Sequence, residues 1–274
     1  MKRLVTIIGF LFAYSCFAQT DSLVINVRGV DIVLIKVEGG TYKRGCDPEN
    51  KQHDSCCFKP NYGEQIVTLN TFYLAKFEVT QKLYQQIVRK NPSWFKNNTT
   101  MDSGLMRPVE MVNWYDAKTF IDSLNKLTGK HFRFPTEAEW EFAARGGNNN
   151  HPYLYAGSND INAVTWFSHK NPKILNHTYS CTMRVGQKAA NSLGLYDMTG
   201  NVAEWCNDWY SNVYYQSQKN IKNPCGPETG EKKVVRGGNF GNDYMPSLDV
   251  RYRKGVEPNS RMCYIGFRLA MDAE

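Results

Sequence analysis

The second half of this chain, from Gly146 to Glu274, shows almost no helical periodicity. It consists of short aromatic segments separated by clusters of Gly, Asn, Pro and Asp, which are residues typical of turns and loops. Irregular stretches of this length are uncommon inside a compact domain and are usually functional. We therefore expect a fold with a large irregular fraction, braced by disulfides or by a bound ion.

Helices are predicted only in the first half, where apolar residues recur at helical spacing behind a capping residue. The third of them begins with Thr136 and Glu139, which form a capping box. In the second, the apolar residues from Ala117 to Leu127 should face the core. The three segments and their N-caps are 81–89 after Thr80, 114–127 after Asn113, and a helix from Thr136 to about residue 145.

Strands are predicted where β-branched and aromatic residues alternate with polar ones. Residues 23–37 indicate one or two strands around a turn at Gly29, and residues 37–45 indicate two strands around Gly39-Gly40. Two more are expected at 66–69 and 72–75. With no internal repeat or linker, the chain is predicted to be one α+β domain with few helices and short antiparallel strands.

The N-terminus has the pattern of an export signal. Lys2 and Arg3 precede an apolar run that ends near Phe12, and small residues at Cys16 and Ala18 follow. This pattern predicts a cleavable signal over residues 1–18, because the run is too short to span a bilayer. Alternatively, Cys16 is a lipobox cysteine that carries a lipid anchor. Residues 19–32 would then form an N-terminal extension or first strand, and residues 33–274 the main domain.

Charge and cysteine content narrow the class of protein. The net charge of +7 comes from scattered cations, with no run longer than Lys232-Lys233, which argues against a nucleic-acid partner. The cysteines lack the spacing of a zinc site. In an oxidising compartment we expect some of them to pair, and seven remain after cleavage, so at least one stays unpaired within the chain. They are Cys46, Cys56, Cys57, Cys181, Cys206, Cys225 and Cys263.

Seven segments, in order, resemble the formylglycine-generating enzyme, or sulfatase-modifying factor, family. They include Gly200-Asn201-Val202-Ala203-Glu204-Trp205 and Arg236-Gly237-Gly238. The resemblance implies an irregular α+β fold related to C-type lectins, with little regular secondary structure. The segments are 37–45, 72–80, 107–114, 133–147, 191–205, 235–240 and 266–270.

A calcium site is the first expectation that the resemblance adds. The family binds calcium at the motif that runs here from Asp197 to Glu204, so the implied ligands are Asp197, Gly200, Val202 and Glu204. The residues are chemically suited to this role, since calcium accepts carboxylate and backbone carbonyl oxygens. Spacing alone favours a tight turn with capping carboxylates and no ion. A second family site is not predicted, because residues 169–182 lack the Asp expected there.

The resemblance also implies oxidation of a substrate cysteine to formylglycine, with copper(I) held by two cysteines after the Arg-Gly-Gly motif. Thiolates suit that metal, but residues 236–249 contain no cysteine. Copper is therefore not expected, and Cys206, Cys225 and Cys263 are assigned to disulfides. If another oxidation survives, the candidate residues beside the missing site are Asp243, Asp249, Arg251, Tyr252 and Arg253. The structural alternative is a solvated loop with buried Arg–carboxylate pairs.

Two functions remain open. The first is an exported, calcium-stabilised binding or assembly module for a peptide, a glycan or an exported protein, without formylglycine formation. The second is an oxygen-dependent oxidase that modifies exported proteins. The six tryptophans are expected mainly in the core, although an aromatic patch around Trp209-Tyr210 and Tyr214-Tyr215 could bind peptide or sugar.

Overall fold

A computed structural model describes residues 21–45, 65–96, 104–149, 151–168, 181–217, 220–242 and 245–273. Three sheets and a few short helices make up this part of the chain, as the sequence predicts for an α+β fold with little regular structure. The predicted export signal and Cys16 lie outside the described residues, as do Cys46, Cys56 and Cys57.

The largest sheet has five strands in the order β1-β2-β5-β12-β6, all paired antiparallel. Its first hairpin turns at Arg28 and Gly29, which both have positive φ (51° and 78°), as the predicted turn at Gly29 requires. Residues 22–27 are thus an edge strand of this sheet. The strands are β1 (Ser22–Val27), β2 (Val30–Val37), β5 (Phe72–Ala75), β6 (Phe132–Arg133) and β12 (Ala270–Asp272).

Two smaller sheets use the remaining strands, in the orders β10-β9-β7-β11 and β3-β4-β8. Each contains one parallel pair, β7 with β11 and β4 with β8, among antiparallel neighbours. Their bounds are β3 (Gly40–Arg44), β4 (Gln65–Leu69), β7 (Ala203–Trp209), β8 (Asn220–Lys222), β9 (Lys233–Arg236), β10 (Arg253–Val256) and β11 (Ile265–Gly266).

The three predicted helices are present with their predicted caps. They are α1 (Gln81–Val88), α2 (Trp114–Thr128) and α3 (Glu137–Ala144). Thr136 and Glu139 form the capping box, and a second box joins Asn113 to Asp116 at the start of α2. Leu127 differs from the prediction: it is 44% exposed, because α2 packs only its middle turns on the core. The short helices α4 (Ile161–Val164) and α5 (Asn212–Ser217) were not predicted.

Helix α3 lies in the interior, and its carboxylates hold several strands together. Glu137 accepts hydrogen bonds from Nε and Nη2 of Arg253, both at 2.7 Å, and pairs with Arg44 at 2.6 Å. One turn later, Glu141 pairs with Arg145 at 2.6 Å and with Arg236. Apart from the partly buried Arg145, the members of these ion pairs are buried, so charges in the interior hold β3, β9 and β10 around one helix.

The four cysteines in the described part of the chain are free thiols. Cys206 is buried, whereas Cys225 is exposed and Cys181 and Cys263 are partly buried. The sequence assigned Cys206, Cys225 and Cys263 to disulfides, and the structure corrects this: Cys206 lies on β7 within the apolar core and serves there as a packing residue. Among the described residues, the helices are all too short or too polar to cross a bilayer.

Candidate functional site

A small cleft lies just after β9, where the sequence places Arg236-Gly237-Gly238. Its cavity measures about 50 Å³. The walls combine two asparagines, two tyrosines and one lysine with strand backbone. The lining residues are Ala203, Val235, Arg236, Gly238, Asn239, Asn242, Tyr252, Lys254, Tyr264 and Ile265.

The two glycines allow the chain to turn tightly into this cleft. Gly237 and Gly238 have φ of +91° and +68°, a region that side chains disfavour. A Cβ on Gly238 would lie 2.7 Å from Cδ2 of Leu248 and from the carbonyl oxygen of Ser247. The Gly-Gly pair therefore sets the position of Asn239 relative to the segment that carries Leu248.

Arg236 fixes the opposite wall. Its Nη1 donates to the carbonyl oxygens of Arg251 and Tyr252, at 2.7 and 2.6 Å, and its Nη2 donates to Glu141. A guanidinium that is fully buried must keep such partners, since unpaired buried charge is costly. Arg236 thereby connects the backbone at Tyr252 to Glu141 of α3, so this wall of the cleft is held in place by the core.

The residues predicted for a surviving oxidation are separated by the structure. Tyr252 lines the cleft. Asp249 and Arg251 instead pair with each other, with Nη1 to Oδ1 at 3.1 Å, and Arg253 belongs to the Glu137 pair. Asp243 lies outside the described residues. This arrangement matches the structural alternative of buried Arg–carboxylate pairs, and it leaves Tyr252 as the one candidate at the cleft in the described part.

The predicted calcium ligands lie next to a buried cluster of charges. Glu204 accepts from Nη2 and Nε of Arg268 at 2.5 and 2.6 Å, and from Nε1 of Trp140 at 2.7 Å. Glu78 accepts from Nδ2 of Asn201 at 2.6 Å. Burial raises the pKa of Glu78, and the charges of Asp197 and Glu204 raise it further. Arg268 is hydrogen-bonded to Glu204, and its charge lowers the pKa values of Glu78 and Asp197 in part.

One of the two buried carboxylate oxygens of Asp197 lacks a hydrogen-bond partner in the described part of the chain. Its Oδ2 accepts from the backbone NH of Gly186 at 2.7 Å, but its Oδ1 has no hydrogen-bond partner in the described part of the chain. Burial raises the pKa of Asp197 to about 6. An unpartnered buried oxygen calls for an explanation such as an ion or a water molecule.

Calcium fits this group of residues only in part. Asp197 can supply an oxygen, whereas Glu204 would have to share oxygens that Arg268 and Trp140 already occupy. Gly200, with φ of +84°, and the fully buried Val202 could offer only backbone carbonyls. Within the described ranges, no three His, Cys, Asp or Glu side chains are grouped to hold a metal. Calcium therefore stays a prediction.

The predicted aromatic patch is partly occupied by cations of the chain itself. Nζ of Lys233 lies 3.9 Å from the ring centroid of Trp209 and 4.2 Å from that of Trp114. The guanidinium of Arg253 lies 4.6 Å from the Tyr210 ring. Burial lowers the pKa of Lys233 to about 8. A cation of the chain thus already covers one face of Trp209 and one face of Tyr210.

Two larger cavities lie elsewhere and contain none of the predicted site residues. One of about 350 Å³ lies between β2 and the start of α1, and it is lined mainly by apolar residues such as Ile32, Val79 and Leu83. The other, of about 720 Å³, is an open groove beside Tyr73, Lys130 and Met271. Size alone would favour these two, but the sequence motifs converge on the smaller cleft.

Comparison with known proteins now identifies the family. The model of the sulfatase-modifying factor enzyme 1-like domain matches residues 29–273. The chain belongs to this family. Its match begins before residue 33, so β2 and the hairpin turn form part of the family domain. The segments that suggested the family in the sequence all lie within the matched range.

Relatives within the family carry different names. The chaperone protein LppX of Paenibacillus barcinonensis is 34% identical over 221 residues, which cover 65% of this chain and 72% of that protein. The formylglycine-generating enzyme of Streptomyces coelicolor is 36% identical over 177 residues, covering 61% of this chain and 53% of the enzyme. The solved structure of Treponema denticola variable protein 1 has a TM-score of 0.79 at 26% identity, covering 92% and 99% of the two chains.

Several residues of the site could not be identified from the sequence. Glu78 and Arg268 lie in recognised family segments, but only the fold shows that they share the cluster with Asp197. Tyr264 and Lys254 reach the cleft through β-pairing far from the Gly-Gly motif. Trp94, expected in the core, is 73% exposed. No local pattern distinguishes it from the buried tryptophans.

Proposed function

We propose that this chain is an exported binding or assembly module that holds a peptide, a glycan or a partner protein at the cleft after β9. The observation that carries this proposal is the composition of the cleft. Its described walls offer the amide nitrogens of Asn239 and Asn242, the hydroxyl of Tyr264 and the cation of Lys254. These are groups that recognise a ligand by hydrogen bonds.

Formylglycine formation is not part of this proposal. The family chemistry uses a copper-binding cysteine pair, and residues 236–249 have no cysteine. The described residues that line the cleft include no cysteine. Soft thiolates are the ligands that select copper(I), and amides and phenols are poor replacements.

A relative supports a protein partner. The Paenibacillus protein is named a chaperone, and this chain is aligned to 72% of its length. A chaperone-like role would need a cleft that tolerates different chains, for which hydrogen-bonding amides are suited. Calcium is proposed as a stabilising ion at Asp197, where the unpartnered Oδ1 is the supporting observation.

The oxidase remains the second candidate. The observation in its favour is the 36% identity to an enzyme named formylglycine-generating enzyme, together with Tyr252 at the cleft. A phenol can take part in oxidation, but no described thiol lies in the cleft wall. A high-affinity copper site, or oxygen consumption with a peptide, would support this candidate over binding alone.

Selection of ligands tests the leading proposal directly. Random peptides displayed on phage, and in parallel a glycan array, are applied to the immobilised chain and to the Asn242→Ala/Tyr264→Ala variant. We expect ligands that the wild-type chain retains and the variant loses. The matched control is Tyr115→Ala, an exposed aromatic on α2. Equal retention by wild type and the cleft variant would place binding elsewhere and contradict the proposal.

A further inference from the structure

The loop before residue 97 presents one large apolar side chain to solvent. Trp94 is 73% exposed, although its backbone is firmly held. The backbone NH groups of Trp94 and Phe95 donate to Oε2 and Oε1 of the buried Glu110, at 3.0 and 2.9 Å. From the other side, Nε2 of the buried Gln81 donates to the carbonyl of Phe95 at 3.1 Å. Because the buried side chains of Glu110 and Gln81 fix the backbone of this loop, the exposed indole of Trp94 is pre-organised for contact with a partner.

One ring of this loop packs beside the cleft wall. The rings of Phe95 and Phe240 meet edge to face with centroids 5.5 Å apart, and Phe240 directly follows Asn239 of the cleft wall. The backbone NH of Met111, next to Glu110 in the chain, donates to the carbonyl of Met262 at 3.1 Å. Tyr264, two residues further on, lines the cleft. Trp94 is the chain neighbour of Phe95, whose ring contacts the residue that follows the cleft wall.

In both asparagines of the cleft, the side-chain oxygen accepts a hydrogen bond from the chain itself, whereas the side-chain NH₂ group remains available as a donor. Oδ1 of Asn239 accepts from the NH of Gly241 at 2.9 Å, and Oδ1 of Asn242 accepts from the NH of Asn239 at 2.7 Å. Neither amide nitrogen makes a hydrogen bond within the described ranges. Two NH₂ groups are thus available for carbonyl oxygens, such as those of a peptide backbone.

In the described part of the chain, two exposed lysines lie near Trp94 or in the cleft wall. Lys96 lies two residues after Trp94, and Lys254 lines the cleft. Both are exposed, and neither forms an ion pair in the described part of the chain. The nearest carboxylate on the loop side, Glu110, is buried and occupied by backbone NH groups. A ligand with negative charge complements these two lysines.

We infer that the cleft and Trp94 form one site for an extended polypeptide that carries an apolar side chain next to acidic residues. The apolar side chain packs on the indole of Trp94, the peptide carbonyls accept from Asn239 and Asn242, and the acidic groups face Lys96 and Lys254. Tryptophan is among the residues that most often dominate binding energy at interfaces. This inference rests on the proposed function, and it specifies the partner of that same cleft.

Labelled peptides test this inference by fluorescence anisotropy. The three probes share a Gly-Ser frame of about twelve residues, a length that suits an extended segment across the cleft. The first probe carries Phe flanked by Asp. In the second probe the Phe is replaced by Ser, and in the third the Asp residues are replaced by Lys. We expect the Phe–Asp peptide to bind and both altered peptides to bind at least about tenfold more weakly. Trp94→Ala should weaken the Phe–Asp peptide by about tenfold or more, and the control Tyr115→Ala should not.

The outcomes separate the two proposals. Thermal unfolding should be unchanged in Trp94→Ala, since so exposed a side chain contributes little to packing. If Trp94→Ala keeps full affinity while Asn242→Ala/Tyr264→Ala loses it, the cleft binds peptides without Trp94 and this inference is overturned alone. If the Asp→Lys peptide binds more tightly than the Phe–Asp peptide, the inferred preference for acidic residues in the ligand is wrong. If the wild-type chain binds none of the peptides, or binds only glycans, the polypeptide inference fails. Binding to neither peptides nor glycans would also remove the proposed function.

Discussion

Asp208 is a single residue whose negative charge destabilises the folded state. It is buried at the end of β7, where its Oδ2 accepts from the backbone NH of Glu137 at 2.9 Å and its Oδ1 has no partner in the described part. Burial raises the pKa of Asp208 to about 7, and the charge of Glu137 adds to this. An aspartate with a raised pKa is protonated in the folded chain at a pH where the unfolded chain has already lost the proton.

The free energy of unfolding should therefore fall as pH rises from about 4 to about 7, by up to about 4 kcal/mol for this one group. Asp208→Asn keeps an acceptor for the NH of Glu137 and cannot ionise. We expect this variant to be more stable than wild type at about pH 8 and to lose that advantage near pH 4. Urea unfolding across this range measures it, with the exposed Asp122→Asn as control. A variant as unstable as wild type at high pH would contradict this account.

Asp197 allows an equally specific test of calcium. Its φ of +55° lies in the left-handed region, which asparagine tolerates best after glycine, so Asp197→Asn changes the charge without straining the backbone. At a hundredfold excess over its Kd, calcium should raise the Tm of wild type by about 5 °C or more. The variant should lose most of this shift, and Asp122→Asn should retain it. A wild-type Tm that is the same in calcium and in EGTA would exclude the ion.

At the scale of elements, α3 organises the domain because its first carboxylate binds arginines from other strands. Burial alone raises the pKa of Glu137, but Arg253, Arg44 and Arg236 outweigh it and lower the value to about 2. This carboxylate therefore stabilises the fold above about pH 4.5, and that contribution is lost as pH falls toward 2.

Glu137→Gln should destabilise the chain by about 3–5 kcal/mol at neutral pH, because it leaves buried guanidinium groups without their partner. The variant should also lose the part of the acid sensitivity that Glu137 causes. Denaturant unfolding at neutral pH and again near pH 3 measures both effects, with the exposed Glu231→Gln as control. A loss below about 1 kcal/mol, as for a surface pair, would show that α3 does not have this role.

Elements with local signals are those that the sequence could predict. Thr136 and Asn113 mark helix starts through hydrogen bonds that involve only near neighbours, and both were recognised. Leu127 has the correct spacing for the core, yet it is exposed, because periodicity does not tell how far a partner surface extends along the helix. The helices α4 and α5 are too short for any periodicity to develop.

At the scale of the whole molecule, the family and the fold class could be predicted, but the assembly of the sites could not. The order of seven motifs fixed the family, which the match over residues 29–273 confirms. Pairings such as β7 with β11, or Glu204 with Arg268, join residues about sixty positions apart, and no local pattern encodes them. The exposure of Trp94 likewise depends on what lies opposite its loop.

The central claim is that this member of the family binds ligands at its cleft without forming formylglycine. The most direct test incubates residues 19–274, supplied with copper(I), with a Cys-x-Pro-x-Arg peptide in air and examines the peptide by mass spectrometry. A known formylglycine-generating enzyme run alongside serves as the positive control. We expect the peptide to remain unchanged with this chain. Formation of the aldehyde would contradict the account and would require a copper site that the described residues do not provide.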